Sequence, residues 1–122
     1  MSRSIVIGYW DEARRVDTQI EVEEPYYLLG TQSLSKQFWS MPRLREVGIA
    51  HLTVLGESDP VQFYGWDQLA VLWREIELLQ RHLRDVDFDP EVKSRWAAHL
   101  TYCYLLLVAT APPQFVPHFE IG

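Results

Sequence analysis

Residues 67–84 read DQLAVLWREIELLQRHLR, and the spacing within this stretch decides the fold class. Leu69, Leu72, Trp73, Ile76, Leu79 and Leu83 recur at steps of three and four, which places them on one stripe of an α-helix. Arg74, Glu77, Gln80, Arg81 and Arg84 fall mostly on the other side, with Glu77 and Arg81 a favourable i,i+4 pair. Beyond this helix, Asp89-Pro90 is a strong second start, a side-chain cap followed by a first-turn proline. The second helix runs from Pro90 to about Ala111, where Pro112-Pro113 stops it, and its latter half is apolar nearly all round. Such a helix belongs at the centre of a core.

On the N-terminal side the period changes from that of a helix to that of a strand. Residues 4–10 form a compact run rich in β-branched and aromatic residues. Val16, Thr18, Ile20 and Val22 alternate with Asp17, Gln19 and Glu21, the pattern of a half-buried antiparallel strand with one wet face. Residues 11–15 join the two as a hairpin, and Glu23-Glu24-Pro25 ends the second strand. Residues 26–30 read equally as a short strand or a turn, and residues 33–39 and 42–47 as short helices. A third strand is expected at residues 49–55, between Gly48 and Gly56, and a fourth at 60–64, at an edge because of Pro60. The expected architecture is a single α+β domain over residues 1–122: an antiparallel sheet of three to four strands from the N-terminal half, packed on two long C-terminal helices.

Length and composition narrow the function. A chain of 122 residues, 48% apolar and 23% charged, suits one globular domain. Eleven basic residues against seventeen acidic give a net charge of −6, which disfavours nucleic acid as a partner. A single cysteine makes no intrachain disulfide, so the expected location is cytoplasmic. The N-terminal apolar run is closed by Asp11 and Glu12 too early for a signal peptide. The uncharged stretch after Arg95 shrinks to 16 residues once its prolines are excluded, short of the roughly 20 that a membrane span needs.

The usual marks of chemistry are missing. Asp85-x-Asp87-x-Asp89 resembles the opening of a calcium loop, but the sixth and twelfth positions hold Pro90 and Trp96 where glycine and glutamate are needed. His99 and Cys103, four apart on a helix, are two ligands where zinc takes three or four, so no metal and no cofactor is expected. Cys103 among Leu100, Tyr102, Tyr104 and Leu105 reads as an inert core thiol. No Gly-x-Ser-x-Gly elbow and no glycine-rich phosphate loop occurs.

The surplus is in aromatics: five tryptophans, six tyrosines and five phenylalanines. Exposed aromatics beside acids describe a protein-binding patch, while the same residues can equally form the lid of a small core. Two clusters are candidate partner-binding residues. Asp17, Glu21, Glu23 and Glu24 form an acidic strand and its end, and Tyr64 and Trp66 flank the turn at Gly65. The segment from Leu44 to Leu83, with Asp59-Pro60-Val61-Gln62-Phe63 leading into Trp66-Asp67 and then Glu75-Ile76, resembles small acidic α+β immunity proteins of bacterial toxin systems. That resemblance implies a non-catalytic inhibitor with an acidic surface that captures a toxin domain, and a basic nuclease domain would suit the charge. Self-association is compatible with this reading. The competing expectation is a small-molecule site or enzyme with a pocket between the sheet and the last helix, lined by His51, Glu75, His99 and Tyr102.

Overall fold

The computed structural model describes residues 2–122. Five strands and four helices follow in the order β1 (Ser2–Asp11), β2 (Val16–Ile20), β3 (Leu28–Thr31), α1 (Gln32–Trp39), α2 (Pro42–Glu46), β4 (Val61–Tyr64), α3 (Trp66–His82), α4 (Pro90–Thr110) and β5 (Val116–Ile121), with 3-10 turns at Leu52–Gly56 and Leu83–Asp85. The class is α+β with an antiparallel sheet, as expected, but the sheet has five strands and one of them follows the last helix.

β1 organises everything. It is bonded along one flank by β5, and its other flank is shared by β2 and β3. β4 then pairs with β5, so the order is β2-β1-β5-β4 with β3 beside the N-terminal part of β1. Sharing one flank explains why β2 stops at Ile20 instead of continuing to Val22. Ile20 pairs with Ile7, and the next stretch of β1 is already claimed by Tyr27 and Leu28. Glu21, Glu23 and Glu24 therefore leave the sheet in the connection to β3, and the strand alternation expected to align them with Asp17 does not reach them.

The alternation of β1 puts Ile5 and Ile7 on the face that meets the helices. Phe63 of β4 and Phe119 and Ile121 of β5 join them. α3 contributes Leu69, Leu72, Ile76 and Leu79, and α4 contributes Trp96, Ala97, Leu100, Cys103 and Leu107 at steps of three and four. Asp89 caps α4 by accepting from the N–H groups of Glu91 and Val92, both at 3.0 Å. The latter half of α4 does have a wet side, contrary to its apolar sequence: Leu105 is 52% exposed while Leu107 is fully buried. Gly30, at φ +83°, allows the Trp96 ring to lie against its backbone, where a β-carbon would collide with it.

Two strand assignments change. Residues 49–55 are not a strand but lead into a buried 3-10 turn. A short apolar run fits either form, and here a carboxylate from α3 selects the helical one by accepting the N–H groups at its start. The strand at Val116–Ile121 went unread because Pro117 argues against a central strand. Pro117 is tolerated because its carbonyl faces the β4 side, accepting from Gly65 at 2.8 Å just past the end of β4, where no ladder partner awaits an N–H.

Candidate functional site

The helices cover one face of the sheet and leave the other open. On the open face, the outward residues of four strands line a groove of 420 Å³: Val6 and Trp10 from β1, Asp17 from β2, Gln62 and Tyr64 from β4, and His118 and Glu120 from β5. The register brings them together, since Trp10 pairs with Asp17, Gly8 and Tyr64 both pair with His118, and Gln62 pairs with Glu120.

His118 is the centre of this arrangement. Its Nε2 lies 2.7 Å from Asp17 Oδ1, reaching across β1, and its ring stacks on Tyr64 at 6.1 Å with only 7° between the planes. The crossing is possible because Gly8 lies beneath it: a β-carbon there would come within 2.7 Å of His118 Cε1 and would also strike the Thr18 carbonyl. Gln62 donates to Glu120 alongside. The groove thus has two aromatic walls, Trp10 and Tyr64, and two carboxylates, with no Lys or Arg among its lining residues.

Of the residues singled out from sequence, Asp17 and Tyr64 fall in this groove. Glu21, Glu23 and Glu24 are exposed on the connection leaving β2. Trp66 is turned elsewhere, donating from Nε1 to the Phe115 carbonyl at 3.1 Å and so tying the start of α3 to the entry of β5. Val6, Trp10, Gln62, His118 and Glu120 were missed. The signal for the last two was present in the alternation of Val116, His118 and Glu120 with Pro117, Phe119 and Ile121, interrupted to the eye by the proline.

Of the four residues expected to line one pocket between sheet and α4, His51 meets Glu75, while His99 and Tyr102 both lie against Tyr26. Glu75 is buried and its carboxylate accepts from the backbone N–H of His51 at 3.0 Å and of Leu52 at 2.9 Å, and from His51 Nδ1 at 2.6 Å. It is the cap of the 3-10 turn. His99 and Tyr102 instead hold the chain that enters β3: His99 Nδ1 donates to the Leu28 carbonyl at 2.7 Å, and the Tyr102 ring stacks on Tyr26 at 4.0 Å. Cys103 donates to the Tyr26 carbonyl, and burial pushes its thiol up to about 12. In the acidic run at residues 85–89, Asp89 caps α4 and Asp85 lies beside His82 and Arg43, whose hydrogen bonds hold its carboxyl below the usual range.

Among the described residues no three His, Cys, Asp or Glu side chains are grouped to hold a metal ion, and no helix is long and apolar enough to cross a membrane. No family model, curated protein or solved structure matches this chain.

Proposed function

We propose that this protein is a non-catalytic binding module whose open sheet face receives a basic segment of a partner protein. One observation carries the reading: the groove joins aromatic walls to the carboxylates of Asp17 and Glu120, with no Lys or Arg among its lining residues. Aromatic faces and carboxylates together suit an arginine or lysine side chain, through cation–π contact and charge-assisted hydrogen bonds. Glu21, Glu23 and Glu24, exposed next to β2, add a field that speeds encounter with such a partner. The finer proposal, supported by the resemblance of residues 44–83 to immunity proteins, is that the partner is a basic toxin domain neutralised in the cytoplasm.

The test is a titration of the isotope-labelled chain with a basic toxin nuclease domain, read by backbone amide shifts. Shifts concentrated at Val6, Trp10, Asp17 and His118 are expected. The double reversal Asp17→Lys with Glu120→Lys should abolish them at low salt while leaving the chain folded, with a modestly lower melt from the lost His118 contact. Shifts confined to the helical layer, or indifference to the double reversal, would overturn the assignment of this face.

A further inference from the structure

A second cavity, of 540 Å³, opens in the helical layer between the C-terminal end of α3 and the first turns of α4, and it shares no lining residue with the groove. Its polar lining is Gln80, Arg81, Arg84 and Asp85 on one side and Lys93 and Ser94 on the other. Arg81 ends α3, Arg84 lies three residues on in the 3-10 turn that continues it, and the start of α4 at Pro90 brings Lys93 and Ser94 to meet them. Three of the eleven basic residues thus stand at one cavity of a chain whose net charge is −6. Carboxylates do not answer them. Among the described residues none of the three is ion-paired, and the Glu77–Arg81 pair that helical spacing offers is not formed. Lys93 is the sharpest case. It is 8% exposed, and its ammonium donates to the carbonyls of Leu83 at 2.7 Å and Val86 at 2.6 Å. Those bonds use two of its three donors and bring no countercharge. Arg3, also a buried cation, has one in Asp59. Asp85, the one carboxylate in the lining, is already shared between Arg43 at 3.5 Å and His82 at 3.4 Å.

We propose that this cavity binds a small phosphorylated molecule, whose phosphate supplies the countercharge that Lys93 lacks and accepts hydrogen bonds from Arg81, Arg84 and Ser94. A buried charge is costly unless an opposite charge accompanies it, so an anion seated here is stabilised by more than surface attraction. The charge count selects the ligand. A monocarboxylate would leave two of the three cations unmatched, whereas a phosphate carries close to two negative charges near neutral pH and offers three acceptor oxygens. Each guanidinium fork matches two such oxygens at once. The volume is that of a small-molecule site. A nucleic-acid strand fits less well, because a long polyanion meets the repulsion of the whole acidic chain. A compact anion inside the cavity feels chiefly the cations that line it, the more distant acids being screened.

Titration of the full chain with inorganic pyrophosphate at fixed ionic strength, followed by backbone amide shifts, tests the proposal. Saturable shifts are expected at Arg84, Lys93 and Ser94, and acetate at the same ionic strength should not reproduce them. Arg81→Gln and Arg84→Gln should each weaken binding about tenfold, with the melt nearly unchanged because both side chains are exposed. Arg14→Gln removes the same charge from the turn between β1 and β2, away from the lining, and should leave binding as it is. The absence of saturable shifts up to millimolar pyrophosphate would overturn the proposal. So would undiminished binding to the variant lacking both Arg81 and Arg84, or an equal loss from Arg14→Gln. Shifts produced at the cavity by a short single-stranded RNA but not by pyrophosphate would overturn it in favour of a nucleic-acid surface.

Discussion

The two faces of the sheet are built from the same strands, and alternate residues serve each. Along β5, Pro117, Phe119 and Ile121 are buried while Val116, His118 and Glu120 are only half-covered. On the helix side, β1 and β4 add Ile5, Ile7, Val61 and Phe63 to an apolar core. On the open side, the same strands add Val6, Trp10, Gln62 and Tyr64 to a groove. Position within a strand thus fixes which face a residue joins, and the helices fix which face is dry. The core lies on one side, and the groove proposed to bind a partner lies on the other. A change confined to one face is therefore expected to leave the property of the other intact.

The largest effect should come from breaking the dry side with charge. Leu107→Asp is expected to unfold the protein, because an unpaired buried carboxylate costs several kcal/mol out of a total of roughly 5–15. Leu105→Asp, two residues away on the exposed side of α4, should leave the thermal melt nearly unchanged. Equal effects of the two would show that the helix has no wet side.

Removing volume from the same face should cost less. Phe119→Ala is expected to destabilise by about 3–5 kcal/mol in a denaturant titration, since Phe119 is fully buried at the centre of the sheet. Its neighbour His118→Ala should cost far less, because only the contacts to Asp17 and Tyr64 are lost.

At Gly8 the open face crowds the sheet backbone itself, with the His118 ring and the Thr18 carbonyl both against it. Gly8→Ala puts a methyl between the His118 ring and the backbone, and a cost of roughly 1–3 kcal/mol is expected from the forced displacement. The double variant Gly8→Ala with His118→Ala should recover only part of this, since the Thr18 carbonyl remains in the way. Full recovery would mean that the imidazole alone demands the glycine.

The smallest stability effect belongs to the open face. Tyr64→Ala, at a residue that is 50% exposed, should shift stability by no more than about 0.5 kcal/mol while weakening capture of a basic partner. A larger loss of stability would show that Tyr64 helps hold the fold together despite lying on the open face.

The parts legible in the sequence are those in which one element carries its own signal. The stripe from Leu69 to Leu79 needs no partner to be read as a helix, and Asp89-Pro90 announces α4 through a cap that the structure retains. The hairpin of β1 and β2 is equally local. The misread parts depended on contacts between segments far apart in sequence. Residues 50–52 turn because Glu75 accepts their N–H groups. Pro117 sits in a central strand because β4 ends beside it.

The groove is the extreme case of this dependence. Asp17 and Tyr64 were visible as an acid and an exposed aromatic, yet His118, which lies against both, is separated from Asp17 by 101 positions. The amino-acid sequence by itself determined the helices, the alternation that gives each strand two faces, and the acidic balance, because periodicity, capping and charge are local or additive properties. Only the tertiary structure decided which strand lies in the middle, where β2 must stop and which side chains share the open face, because strand order and register arise from pairings that no single segment encodes.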